Sequence, residues 1–314
     1  MPLSEIIPGV QLVKGKFVDG FGFLTSYLVH DGGEVLVIDP GTAGHPGGEI
    51  VKAIESLGLS PRHDVVGIVC THGHPDHIGG VWRLKRQTGA LVMIHEHDAD
   101  VMETPSLFIE RRLRLSRAGR LAMKVDKSPI RVNFRGVKPD CILKHGDEIR
   151  VGSYSLRVMN SGGHSKGHCM FYLTGKRVLF SGDEVNNYPN DARRFYVDLS
   201  GSLSAKVTAL EAASKLKTEY LLPAHDIPHI LTDVSLQFSE AIDGVRQFQD
   251  AILRVISGRG DADIDQIAFD LRRTHGVPLP TGHEALLPTT IEVALRTLES
   301  AGLVEGENGV WTLA

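Results

Sequence analysis

The chain has 314 residues, of which 42% are hydrophobic, 23% charged and 6% aromatic, a globular mixture that excludes the disordered, collagenous and disulfide-scaffold classes. Its net charge of -4 argues against a protein coated in nucleic acid. Three cysteines, Cys70, Cys141 and Cys169, are too few and too scattered for a disulfide framework or a thiolate zinc site, so the expected compartment is reducing and cytoplasmic. No apolar stretch approaches the roughly 20 residues that cross a bilayer, so no membrane partner is expected. Met1 to Val10 lacks the basic region and apolar run of a signal peptide. Thirty-four glycines imply many tight turns, and fifteen histidines invite a search for metal ligands.

The first hundred residues read as strands that give way to alternating strands and helices. Val10 to Val13 is a short β-like run, and Gly22 to Asp39, turning at Asp31-Gly-Gly33, is an antiparallel hairpin. Glu49 to Leu57 spaces Ile50, Ala53, Ile54 and Leu57 as an amphipathic helix does. Val65 to Cys70 is apolar almost throughout, as expected of a strand covered on both faces. Ile78 to Gln87 predicts a helix, and Leu91 to Ile94 the next strand. Residues 105–140 carry ten Lys or Arg against three acids, a local excess of +7 that marks an insertion. Within it Leu107 to Met123 has a helical rhythm, read as a solvated basic helix or as a lid that attracts an anionic substrate.

From Asp147 the β pattern returns, with strands at Ile149 to Val151, Tyr154 to Met159, Cys169 to Leu173 and Val178 to Phe180. A helix over Leu203 to Leu216 and a short strand over Tyr220 to Leu222 follow. Beyond about residue 228 the pattern becomes helical, with Val234 to Ile256, Ile264 to Arg273 and Pro288 to Ala301 followed by a small hairpin up to Leu313. The predicted division is a catalytic domain over 1–230, with the basic insertion 105–140, and a winged-helix-like domain over 231–314.

The segment that carries chemistry is Thr71-His-Gly-His-Pro-Asp-His77, directly after a buried strand. His72 and His74 flank Gly73 and in an extended loop share one side, while Asp76 and His77 turn toward a neighbouring position. Imidazole nitrogens and carboxylate oxygens suit zinc, manganese or iron without any thiolate. Three later residues sit at predicted strand ends beside glycine or proline: His164, Asp183 and His225. Together the seven supply enough donors for two adjacent ions with positions left open for water. Such a pair lowers the pKa of water and polarises a carbonyl or phosphoryl oxygen, which points to hydrolysis. Asp76 and Asp183 are the candidate catalytic residues, able to orient the nucleophile or pass its proton on.

This order of His72-x-His-x-Asp-His77, His164, Asp183 and His225 resembles the metallo-β-lactamase superfamily over roughly residues 8–230. The resemblance implies an α+β fold, the αββα sandwich of two facing β-sheets with helices outside. It also implies that His72, His74 and His164 bind one ion, that Asp76, His77 and His225 bind the other, and that Asp183 bridges them. Gly163 departs from the proline found there in many members. Other residues read more plainly: His168 as a hydrogen-bonding partner of a ligand or a loop histidine, Cys70 as a core residue, His45, His95 and His97 as ordinary surface or loop histidines, and Glu184, Tyr188 and Tyr196 as candidate linings of the substrate entrance.

The phrase Thr290 to Val304 resembles the winged-helix extension of one branch of that superfamily, the group of the β-lactamase-like protein 2. From residue 240 to 314 there are twelve acids against six arginines and no lysine, so this tail is a poor nucleic-acid binder; packing or homodimerisation is the expected role. The leading function is hydrolysis of a small ester, thioester or lactone with two divalent ions, zinc first and iron or manganese as alternatives. The other readings are a phosphodiesterase or ribonuclease, an iron-dependent oxygenase, and a metal-binding module without turnover.

Overall fold

The computed structural model describes residues 3–18, 22–42, 44–114, 132–185, 200–225, 233–273 and 286–314. Two β-sheets face one another. The first has seven strands in sequential order: β1 (Leu3–Ile7), β2 (Val10–Val18), β3 (Gly22–Asp31), β4 (Glu34–Ile38), β5 (Val65–Val69), β6 (Leu91–His95) and β7 (Cys141–Leu143). It begins as an antiparallel meander and becomes parallel from β4 onward. The second has five strands, β8 (Glu148–Val151), β9 (Tyr154–Asn160), β10 (Cys169–Leu173), β11 (Val178–Gly182) and β12 (Tyr220–Pro223), antiparallel except for the β11–β12 pair.

Alternation along these strands sorts the apolar side chains into three layers. Between the sheets lie Leu12, Val29, Leu36 and Val69 from the first and Leu156, Val158, Phe171 and Phe180 from the second. On the outer face of the first sheet, Val35, Val37, Ile68 and Val92 pack against Ile50 and Ile54 of α1 (Gly47–Ser56), Ile78 of α2 (Pro75–Ile78), Leu84 of α3 (Val81–Thr88) and Met102 of α4 (Glu96–Glu103). On the outer face of the second, Met170, Tyr172 and Leu221 meet Leu210 of α5 (Leu203–Ala213) and Phe238 of α6 (Val234–Arg259). Helix, sheet, sheet, helix is thus the observed order of layers. A fourth cluster joins α6, α7 (Ile264–Arg273) and α8 (Leu287–Ser300) with the sheet β13–β15–β14 (Asp261–Asp263, Val310–Leu313, Val304–Glu307), and Leu203 of α5 is part of it.

Most predicted elements recur within a few residues, and the differences have local causes. The helix expected over Ile78 to Gln87 is two helices, because Gly79 and Gly80 interrupt it. The helical rhythm from Leu107 becomes only a π-helical turn, Phe108–Arg112, after which Leu113 is extended. Tertiary contacts override the periodicity there. Arg112 reaches the carbonyl of His97 and the carboxylate of Asp100, each at 2.6 Å, and the Arg114 N–H donates to Thr289 Oγ1 of α8 at 2.9 Å. The rest of that predicted helix, the junction near residue 230, Tyr188 and Tyr196 lie outside the described residues. Among the described residues no helix is long and apolar enough to cross a membrane.

Candidate metal centre

All seven candidate residues follow strand ends at one edge of the sandwich. β9, β11 and β12 run in one direction, and their C-terminal ends lead to His164, Asp183 and His225; β5 leads to His72 through His77. Pro75 occupies the first position of α2, where its missing N–H costs nothing, and the turn it starts swings Asp76 and His77 away from His72 and His74. His225 is held by the first sheet, since Thr25 Oγ1 donates to the carbonyl of Ala224 and Tyr27 OH to that of Pro223, both at 2.6 Å.

The side chains converge in two groups, His72, His74, His164 and Asp183 in one and Asp76, His77 and His225 in the other, with the donor atoms of each group within 4.8 Å of one another. One oxygen joins them. Asp183 Oδ2 lies 3.8 Å from His72 Nε2, 3.5 Å from His164 Nε2, and 3.4 Å from both His77 Nε2 and His225 Nε2. Asp76 Oδ2 lies 3.4 Å from His225 Nε2 and 3.8 Å from His77 Nε2. Two donors bonded to one tetrahedral ion at about 2.1 Å sit about 3.4 Å apart, so this spacing suits ions held between them. The Nε2 atom of His72 is buried without a hydrogen-bond partner, an arrangement that is costly unless a cation takes the lone pair. His74 Nδ1 and His164 Nε2 are closer, at 2.7 Å. The donor set therefore fits a pair of divalent ions.

Charge divides the two groups. Burial and the neighbouring imidazoles of His77, His74 and His164 push the His72 imidazole well below its ordinary pKa, and burial with His74 does the same to His164, so both stay neutral and able to donate a lone pair. At His77 burial acts in the same direction, but the carboxylates of Asp183, Asp39 and Asp76 outweigh it and raise the pKa well above the usual value. His225 is raised likewise, against burial, by Asp183 and Asp76. Asp183 is itself held well below the carboxylate range, because His225 and His77 outweigh its burial. The second group thus attracts positive charge, whether a proton or a metal ion. Of the seven, Asp76 alone reaches solvent appreciably, with a quarter of its side chain exposed.

Around the donors stand supports that the sequence analysis missed. Asp39, buried at the end of β4, accepts the N–H of Thr71 and the hydroxyl of Thr71, both at 2.7 Å, and His77 Nδ1–H at 3.0 Å. That bond leaves His77 Nε2 as the lone-pair donor. Asp98 Oδ2, on α4, accepts the Gly73 N–H at 3.0 Å and the Ser165 hydroxyl at 2.6 Å, so it ties two donor loops together. Phe108 from the insertion packs edge to face on His74 with ring centroids 4.9 Å apart. His168 is a partner of a donor residue, as its spacing suggested: its Nε2 accepts the Asp183 backbone N–H at 3.0 Å. Gly182 has φ +53, and a side chain there would strike His168 Nε2 at 2.5 Å, which explains a glycine before Asp183.

Glu184 corrects an expectation. It does not line an entrance but is 1% exposed and accepts from Ser161 Oγ, from the His164 N–H at 2.9 Å and from Lys206 Nζ at 2.9 Å. Burial alone would raise its carboxyl; the Lys206 ammonium, His168, Ser161 and the His164 N–H outweigh it and hold it at about 2. Cys70 is buried among core residues, as expected, whereas His95 is not a surface or loop histidine: it ends β6, is buried, and caps α4 by accepting the His97 N–H.

Similarity to known proteins agrees with this geometry. The chain is 28% identical over 232 residues to an acyl-coenzyme A thioesterase of Homo sapiens, covering 69% of this chain and 78% of that one. It is 28% identical over 161 residues to a hydroxyacylglutathione hydrolase of Methylococcus capsulatus, covering 51% and 46%. The chain spans about half to two thirds of the length of the first curated relatives it matches, from 46% to 64%. The crystal structure of a metallo-beta-lactamase family protein of Thermus thermophilus superposes with a TM-score of 0.76 at 20% identity, over 99% of this chain and 100% of that one, which speaks for the fold. The family model described as the Metallo-beta-lactamase superfamily matches residues 19–225, about two thirds of the chain and every one of the seven converging side chains. The chain therefore belongs to the metallo-beta-lactamase superfamily.

Proposed function

We propose that this protein is a metal-dependent hydrolase of small thioesters and esters. The observation that carries the reading is the position of Asp183 Oδ2 between two imidazoles of each group. In this reading His72, His74 and His164 would hold one divalent ion and Asp76, His77 and His225 the other, with Asp183 available to both. Zinc is the expected metal. Two ions so held supply a Lewis acid and lower the pKa of water toward neutrality. The chain's own residues do the rest: Asp39 fixes the tautomer of His77, Asp183 keeps the two donor groups in register, and Asp76, at the exposed side, accepts the proton of the attacking water and returns it to the leaving group.

The choice of thioester rests on what the relatives are named for, an acyl-coenzyme A thioesterase and a hydroxyacylglutathione hydrolase, both of which cleave acyl–sulfur bonds. A ribonuclease is disfavoured because Arg111 and Arg112 pair with Asp100, and Arg114 with Glu292, so these insertion arginines anchor the segment. The same reading takes 1–230 as the catalytic unit and 231–314 as a winged-helix-like unit that serves packing or homodimerisation, in a cytoplasmic protein. The test is elemental analysis of the purified chain followed by assays on acyl thioesters, p-nitrophenyl esters, lactones and bis-p-nitrophenyl phosphate. Two ions per chain and thioester cleavage are expected. A metal-loaded protein that cleaves only the phosphodiester overturns the substrate class, and one silent on all four overturns the hydrolase.

A further inference from the structure

The buried ammonium of Lys206 is used by no step of the proposed reaction. Lys206 is 3% exposed, on α5, and its Nζ donates to Glu184 Oε2 at 2.9 Å and to the Glu184 carbonyl at 2.8 Å. A lysine buried this deeply is retained only where a partner compensates the lost hydration, and the partner here is the neighbour of Asp183. The other oxygen of the same carboxylate accepts the backbone N–H groups of Gly163 and His164, at 3.2 and 2.9 Å, and the Ser161 hydroxyl at 2.6 Å. One carboxylate thus spans from Lys206 to the loop that presents His164.

The start of α5 grips that loop a second time through the backbone. Ser200 N–H donates to the His164 carbonyl at 2.9 Å, and Ser202 N–H to the Gly162 carbonyl at 3.0 Å. The approach is so close that a side chain at Gly201 would meet the Gly163 carbonyl oxygen at 2.3 Å. One turn of helix carries the connection onward. Leu203, three residues before Lys206, is 1% exposed in the fourth apolar cluster, among Phe248 and Ile252 of α6 and Ile291 and Leu295 of α8. Helix α5 therefore has one side chain in the C-terminal core and another on the carboxylate that holds the His164 loop.

We propose that Lys206 is a positioning residue through which the C-terminal helical core holds the His164 loop in its donor geometry. This rests on the reading that the two groups bind two ions, and it gives the C-terminal helices a role at the centre without any of their residues entering it. The consequence is selective. Loosening Lys206 acts first on the group that contains His164, whereas Asp76, His77 and His225 keep their own supports, Asp39, Thr25 and Tyr27, and feel the change only through the shared Asp183.

The experiment is titration of zinc into metal-free protein by calorimetry, with thermal melting of the same metal-free samples. Wild-type protein is expected to show two binding steps; fewer than two overturns the two-ion reading and this inference with it. In Lys206→Met one step is expected to weaken 10- to 100-fold, the usual effect of losing a residue that orients a ligand. The other step is expected to weaken by a clearly smaller factor, because Asp76, His77 and His225 keep their own supports and share only Asp183 with the first group. Two unchanged steps overturn the proposal, and so does an equal weakening of both in parallel with a fall in metal-free melting temperature, which is the signature of a merely structural lysine. Should the methionine variant fail to fold, Lys206→Gln loses the ammonium charge but keeps a donor toward Glu184; it is expected to weaken the same step by a smaller factor, and no change in that step overturns the proposal. Leu203→Ala leaves Lys206 in place and removes its helix's anchor. It is expected to weaken the same step by a smaller factor, and no change in that step overturns the link to the C-terminal core.

Discussion

Asp39→Asn isolates what a supporting carboxylate contributes to the centre. The backbone at Asp39 has φ +50, a left-handed conformation that asparagine adopts as readily as aspartate, so the substitution leaves the chain path alone. Its chemistry changes at one point. Aspartate accepts three hydrogen bonds there, from Thr71 N–H, Thr71 Oγ1 and His77 Nδ1, whereas asparagine offers one oxygen and an NH2 that needs acceptors. With the oxygen on Thr71 N–H, the Thr71 hydroxyl can rotate to accept, but His77 Nδ1–H faces an N–H. Either that buried donor is stranded, at about 1–3 kcal/mol, or His77 moves its proton to Nε2 and loses the lone pair a metal requires. Zinc affinity of the group containing His77 should fall 10- to 100-fold, about 1.4–2.7 kcal/mol, in a calorimetric titration of metal-free protein. Two zinc affinities equal to wild type would refute the reasoning, because they would mean that the bond from Asp39 does not determine the His77 tautomer.

Three further outcomes follow from the same geometry. Asp183→Ala removes the oxygen shared by both groups and is expected to lose most bound metal by elemental analysis together with nearly all hydrolytic activity; full metal content would show that Asp183 does not bridge. Asp98→Ala strands the Gly73 N–H at about 1–3 kcal/mol and unties the His72–His74 loop from Ser165, so metal-free melting and zinc affinity should both fall, and an unchanged melting curve would count against the tie. Glu184 sets an acid limit. Its carboxyl is held at about 2 against an ordinary 4.5, so the folded state binds its proton less readily than the unfolded state, and this stability is complete above pH 4.5 and lost as pH falls toward 2. For a carboxyl that is fully buried the difference is on the order of 3 kcal/mol. Metal-free wild type should therefore lose more melting temperature between pH 6 and pH 3 than Glu184→Gln, and parallel losses would contradict the assignment.

Much of the fold is legible because burial imposes a period. β5 and β10 are apolar at nearly every position since each is covered on both faces, and α7 occupies the predicted Ile264–Arg273 because its apolar residues recur at helical spacing. α4 was missed for the converse reason: Glu96–Glu103 buries only Asp98, Val101 and Met102, and one of those is an acid. β7 was missed because three residues, Cys141–Leu143, are too short to show alternation. The insertion misled because Ile109 and Leu113 stand four residues apart, as on one helix face, while Arg112 and Arg114 commit that backbone to α4 and α8.

The seven converging side chains were legible and their supports were not, for a reason that lies in the loops themselves. A donor loop turns its side chains toward an ion, so its backbone N–H groups are left without strand partners, yet they are buried and must find acceptors. Here the acceptor is a carboxylate from elsewhere in the chain at four of these groups, Asp39 for Thr71, Asp98 for Gly73 and Glu184 for Gly163 and His164, and the His168 imidazole for Asp183. A metal restricts which residue types can serve as donors, so donors leave a pattern such as His-x-His-x-Asp-His. An N–H group asks only for an oxygen at the right point in space, and a single acid at a strand end, on a helix or beside a ligand supplies it without any pattern. The one local mark is charge out of place, and in each case that mark is visible only after folding, as a carboxylate at most 3% exposed. Burial of an acid near a donor loop is thus the structural signal for a support, and it separates Asp39, Asp98 and Glu184 from the solvated acids that share their composition.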